Sequence, residues 1–248
     1  MIILSILFFI TAILYSSVGF GGGSTYLALL LIWDIPYFIF PIIALLCNII
    51  VVSGNSFNYI RAGNHNFKLI LPFLIGSVPL AFFGGTLKID KDIFEILLFF
   101  VLSVAGFLLL INNKSYENNN LVVKKLNFTF SLFIGSVLGL ISGIVGIGGG
   151  IFLSPILFLL KAEKPKIIVT TASLFILVNS ISGVFGQLTK ENIITEISNY
   201  IPLFICVFLG GLLGNYLNLK IFTSRVLALI TALLVMFVSV RMGIRIFL

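Results

Sequence analysis

Charge is scarce in this chain. Asp, Glu, Lys and Arg make up 9% of its 248 residues, where a soluble domain carries about 25%. With 60% hydrophobic residues and a mean hydropathy of +1.24, that scarcity excludes an ordinary soluble globular protein and identifies a polytopic membrane protein. Acidic residues number only 8, and almost none interrupts an apolar run; Glu95 lies one turn into its helix, at the interface. A cation site at membrane depth wants buried carboxylates, so a cation carrier is disfavoured. The one histidine, His65, falls in a polar turn, where such a residue is ordinarily solvated rather than a proton relay. The two cysteines, Cys47 and Cys206, sit in separate apolar runs without metal or redox spacing and read as small buried hydrophobes. An enzyme would need a nucleophile–base pair or a metal cluster inside the spans. None is present, so no catalytic residue, metal site or cofactor is expected.

Long polar stretches are missing too. The longest, Asn112 to Asn127, is too short for a soluble domain and is rich in asparagine. No basic n-region or A-x-A site marks the N-terminus as a signal peptide, so Met1 onward is expected to be the first structural segment. The net charge of +7 would raise nucleic-acid binding in a soluble protein. Here Lys and Arg cluster at the ends of apolar runs, as the positive-inside rule requires, and no nucleic-acid partner is expected.

What the chain does have is one glycine run, used twice. Gly19-Phe20-Gly21-Gly22-Gly23 recurs as Gly146-Ile147-Gly148-Gly149-Gly150, shifted by 127 positions. Glycine costs roughly 1 kcal/mol in a helix interior relative to alanine, so three in a row should break a helix. At membrane depth, bare backbone groups survive only if buried in protein or lining a cavity. The surrounding elements repeat as well. Met1 to Trp33 is an apolar element interrupted by the glycines, too long at about 50 Å for one crossing of a core about 30 Å thick. Asp34-Ile-Pro36 ends it. Spans follow at Ile39 to Ile60, at Leu69 to Leu87 (kinked at Pro72 and Pro79) and at Ile93 to Ile111, the last capped by Asp92. After the linker, Phe128 to Leu160 repeats the broken element, and Ile167 to Leu188, Tyr200 to Leu219 and Val226 to Phe247 repeat the spans. Ser53-Gly54 corresponds to Ser182-Gly183, Pro72 to Pro202 and Gly84 to Gly214. The chain therefore divides into a first membrane repeat (1–111), a polar linker (112–127) and a second membrane repeat (128–248).

Charge distinguishes the possible layouts. If each glycine element crossed the membrane once, the 15 Lys and Arg would divide almost evenly. If each is a re-entrant hairpin, ten of the 15, among them Arg61, Lys124, Lys164 and Arg225, fall on one side, leaving Lys88, Lys91, Lys190, Arg241 and Arg245 on the other. The uneven split favours the hairpin. The expected fold is thus all-α and polytopic: two inverted four-element repeats, each a glycine-broken re-entrant helical hairpin plus three transmembrane helices, with both termini outside. Inverted repeats of this kind bind their substrates near the midplane. A tilted, kinked crossing is the alternative.

The breaks supply two helix N-termini, near Ser24 and near Ile151. Free N–H groups and the positive end of the helix dipole attract anions without a buried cation. Glycine leaves those groups accessible. The candidate site is Gly21, Gly22, Gly23, Ser24 and Thr25 with Gly148, Gly149, Gly150 and Ile151; the Ser24 and Thr25 hydroxyls add donors, and Pro155 suits an early helical turn. The plainer reading, that these glycines only let helices approach closely, is weakened by their duplication at equivalent positions. Each second element adds a polar stripe: Asn48 and Asn55, with Ser56 and Asn58 nearby, and Thr170, Ser173, Ser180 and Gln187 on the other. Interhelical hydrogen bonding explains such stripes; a pore-lining role, which brings Asn55 and Ser180 into the site, is the sharper alternative.

At these residues the sequence resembles the TauE/SafE family of sulfite and organosulfonate exporters. The resemblance rests on the two glycine runs, on Pro155 five residues after the second, and on the repeat layout with its polar linker; it covers essentially the whole chain. The first copy departs from the pattern, with Ala28 where family members often have proline. The resemblance implies secondary transport, by export, of small anions such as sulfite, organosulfonates or related sulfur and carboxylate metabolites across the bacterial inner membrane. The expected partners are a small anionic substrate and the lipid bilayer. Transport of another solute, or a non-transporting scaffold, are the competing readings.

Overall fold

The computed structural model describes residues 1–17, 19–111, 124–190 and 196–217, with 233, 236–237, 239–240 and 243–244 from the final segment. Most of the linker and of the last expected span therefore lie outside the described residues. Those described form nine α-helices and no strand: α1 (Ile2–Ser16), α2 (Gly23–Ile32), α3 (Phe40–Arg61, preceded by a 3₁₀ turn at Tyr37–Ile39), α4 (Phe67–Thr86), α5 (Lys91–Ile111), α6 (Phe128–Val145), α7 (Gly150–Leu159), α8 (Pro165–Gln187) and α9 (Ile201–Leu217). Five helical segments, at α3, α4, α6, α8 and α9, are long and apolar enough to cross a membrane. With 10 residues each, α2 and α7 reach only about 15 Å, half of a hydrocarbon core.

Several boundaries differ from expectation for local reasons. Helices α2 and α7 start one residue early, at Gly23 and Gly150, because the preceding glycines already serve as caps. Asp92 does not cap α5: the helix begins at Lys91, Asp92 lies inside its first turn, and the Phe94 N–H donates to the Asp90 carbonyl. Pro155 falls in the middle of α7 rather than its first turn, so it removes one ladder donor. Helix α4 continues through Pro72 and Pro79. Asn66 and Asn127 start α4 and α6 by accepting from the Leu69 and Thr129 N–H groups at 3.2 and 3.1 Å, the ordinary N-cap arrangement.

Small residues set which helices touch. On α6, Gly135, Gly139 and Gly143 press against the backbone of α4 at Phe73, Ser77 and Ala81. The two registers rise together, so α4 and α6 run parallel. On α9, Gly210 and Gly214 meet Phe9 and Ile13 of α1, and Ser16 Oγ donates to the Gly211 carbonyl at 2.8 Å; these two helices are also parallel. By the same test α9 runs parallel to α3, where Asn215 faces Gly54 and Gly211 faces Val51. Helix α8 runs parallel to α4, with Ser182 Oγ donating to the Val78 carbonyl at 2.6 Å and Gly186 against Phe82. Helices α3 and α8 cross antiparallel at the centre: Ser56 and Ser173 hydroxyls meet at 3.1 Å near one end, and Leu45 packs on Gly183 near the other. Since α1 and α3 point the same way, the chain must turn back at the first glycine run, and α6 and α8 require the same at the second.

Candidate functional site

Both turns are built from left-handed glycines. Gly19 and Gly22 have φ of 84° and 85°, and Gly146, Gly148 and Gly149 have 90°, 82° and 76°, a region that side chains with a Cβ rarely adopt. Gly22 and Gly149 are the N-caps of α2 and α7, and neither helix has a side-chain cap. The ladders begin in the same way: Thr25 and Tyr26 donate to the Gly22 carbonyl at 3.0 Å, Phe152 and Leu153 to the Gly149 carbonyl at 3.1 Å. The N–H groups of Gly23 and Ser24, and of Gly150 and Ile151, thus lie ahead of the first intrahelical bond, at the positive ends of two helix dipoles.

The two breaks abut. A Cβ on Gly23 would stand 2.7 Å from the Ile147 carbonyl oxygen, and one on Gly148 would stand 2.9 Å from Asn48 Nδ2 and 3.1 Å from Ser180 Oγ. Asn48, fully buried just before the middle of α3, is the hub: its Nδ2 donates to the Ile147 carbonyl at 3.1 Å, and its Oδ1 lies against Gly21. Ile176, at the centre of α8, forms an apolar wall touching Gly21, Gly148 and Gly150. Each break also rests on α3 away from this point, Gly19 under the Tyr59 ring and Gly146 on the Pro41 backbone.

The structure therefore brings Gly21, Gly23, Gly148, Gly150 and Ser180 together around Asn48 and Ile176. Ser24 is buried in the first turn of α2, and Ile151 is a buried apolar residue in that of α7. Thr25 is committed elsewhere: its Oγ1 pairs with the Tyr15 hydroxyl at 2.6 Å, joining α2 to α1. Asn55 is buried two turns along α3 from Asn48. In the α8 stripe, Thr170 Oγ1 donates to its own helix at the Lys166 carbonyl, and Gln187 Nε2 donates to the Gly143 carbonyl at 2.9 Å. Gln187 Oε1 accepts from Lys190 Nζ at 2.8 Å, just beyond the end of α8; partial burial, with Lys88 nearby, lowers the Lys190 ammonium to about 8.

A family model described as sulfite exporter TauE/SafE matches residues 4–242. The chain belongs to the TauE/SafE family. This makes it a multi-pass membrane transporter, not an enzyme. The chain is 25% identical over 237 residues to a probable membrane transporter protein of Sinorhizobium fredii, covering 94% of both. It is 22% identical to one of Bacillus subtilis (95% of this chain, 94% of that one) and 29% identical to one of Methanocaldococcus jannaschii (76% and 73%). No solved structure matches.

Proposed function

We propose that this TauE/SafE member is a secondary transporter, working as an exporter, of small anions such as sulfite, organosulfonates or related sulfur and carboxylate metabolites. The observation that carries this reading is the meeting of two helix N-termini without side-chain caps beside Asn48, in the middle of the α3/α8 crossing. Two positive dipole ends attract an anion with no buried lysine or arginine. The half-length of α2 and α7 fits re-entrant arms. Contacts also interchange between the halves: α1 with α9 corresponds to α6 with α4, and α3 with α9 to α8 with α4, while α3 and α8, which occupy equivalent places, oppose each other. That pattern supports inverted repeats at 1–111 and 128–248 joined by a linker at 112–127, with the site at the midplane of a bacterial inner membrane. Flux of labelled sulfite, sulfonates and carboxylates in reconstituted vesicles tests the assignment; absence of flux for the whole panel defeats it.

The same reading fixes a topology. The charge split puts both termini outside and the linker inside. Cysteines placed at Asn119 and after Leu248 are expected to react with a membrane-impermeant reagent from opposite sides. Labelling of both from one side would overturn the inverted arrangement.

A further inference from the structure

The orientation of the Asn48 amide is fixed by its surroundings. Nδ2 lies 3.1 Å from the Ile147 carbonyl oxygen and 3.5 Å from that of Gly146; both atoms can only accept, so the nitrogen must face them and the oxygen must face the other way. Oδ1, fully buried against Gly21, accepts no hydrogen bond among the described residues. It shares this condition with Ser180 Oγ beside Gly148, and with Ser24 Oγ on the first turn of α2, the residue after the Gly23 that Asn48 touches. Hydroxyls can rotate to donate to an anion. A carboxamide oxygen cannot, and it repels an oxyanion unless a donor comes with it.

The complement of the site is therefore mixed. N–H groups of two helix termini and two hydroxyls offer donors to oxygen atoms, and one rigid acceptor stands among them. We propose that Asn48 Oδ1 contacts the ligand, and that the site selects monoanions carrying an O–H or N–H donor besides their acceptor oxygens. This rests on the reading that the two helix termini bind the transported anion. A ligand lacking the donor leaves Oδ1 buried and unpaired, which disfavours it by about tenfold or more. The equivalent place in the second repeat is held by Ile176, which touches Gly148, Gly150 and Gly21 as Asn48 touches Gly21, Gly23 and Gly148, so the acceptor is contributed once and gives the site a polarity its symmetric backbone lacks.

Sulfamate and methanesulfonate test this directly. They are nearly isosteric and singly charged across neutral pH, and differ in an NH₂ group against a methyl. Binding of each to the purified full-length protein is measured by calorimetry. Wild type is expected to prefer sulfamate by about tenfold or more, and Asn48→Ala to bring the two within about twofold. The ratio does not depend on how much variant folds, and the wild-type ratio stands alone if Asn48→Ala yields no protein. Equal wild-type affinities, an unchanged ratio in Asn48→Ala, or binding of neither probe at tens of millimolar would overturn the proposal. Equal affinities that Gly22→Ala weakens together leave the anion site intact without the donor requirement. Binding of neither probe, with wild-type anion flux in Gly22→Ala, rejects the anion site as well.

Discussion

Replacing Gly22 or Gly149 by alanine is expected to lower anion flux per folded protein by about tenfold or more, while leaving inserted protein largely intact. Both residues hold a left-handed backbone, at φ of 85° and 76°, and each caps the helix whose free N–H groups would meet the anion. A methyl group at Gly22 would stand 3.1 Å from the Tyr15 ring, and one at Gly149 would stand 2.8 Å from Phe175 Cε1. These neighbours are buried rings rather than backbone, so they must shift by a few tenths of an ångström, which adds to a backbone strain of order 1 kcal/mol or more. Relaxation of that strain tilts the first turn and moves the N–H groups off the ligand, and misplacement of about 1 Å costs a preorganised site far more than it costs a fold. Ser24→Ala should act in the same direction but more mildly, one neutral hydrogen bond being worth about 1 kcal/mol. A glycine needed only for packing would lower yield, thermal stability and flux together. Wild-type flux in both variants would remove the breaks from the binding site.

The opposite pattern is expected at Gly139. Its missing side chain faces Ser77, whose Cα would lie 2.5 Å from an added Cβ. The obstacle is backbone on a packed helix, so the two helices must separate, and the neighbouring approaches of Gly135 to Phe73 and Gly143 to Ala81 loosen with them. Overpacking of this kind costs about 1–3 kcal/mol for a methyl and more for a larger group. Gly139→Ala should lower the apparent melting temperature in detergent by several degrees, about 2–4 °C per kcal/mol for a chain of this size. Gly139→Leu should yield little folded protein. Gly63 is the matched control for Gly22 and Gly149: it shares their positive φ, at 72°, but an added Cβ there meets nothing within 4 Å. A Gly139→Leu variant that folds as well as wild type would show that the α4/α6 seam is not what holds the helices together.

The breaks and the α4/α6 seam were not equally legible. The breaks announce themselves because three glycines in an apolar run contradict helix propensity twice at one spacing. The seam was in the sequence as well, small residues every four at Gly135, Gly139 and Gly143, yet such spacing says only that something approaches closely, not that it is α4. Asn48 was visible as part of a polar stripe, but its contact with Ile147 joins residues 99 apart, and no local pattern reports which of several apolar turns a side-chain amide will meet. Thr25 is the converse case. Its hydroxyl looked available until the turn brought Tyr15 within 2.6 Å, a pairing that depends on the angle at which the chain folds back. The Asp90 carbonyl, not Asp92, precedes the first turn of α5, because two acidic residues with a single residue between them carry nearly the same capping signal.

The pairing of α1 with α9 has a consequence for how the protein is made. Ser16 bonds to a carbonyl 195 residues further on, whereas α6 finds its partner, α4, already synthesised. At about 5–20 residues per second, roughly 10–40 s separate translation of α1 from translation of the surface it will cover. Throughout that interval α1 has no native neighbour from α9, and the face that will meet Gly210 and Gly214 must be accommodated by lipid or by the insertion machinery. Its docking is a late step that waits for α9.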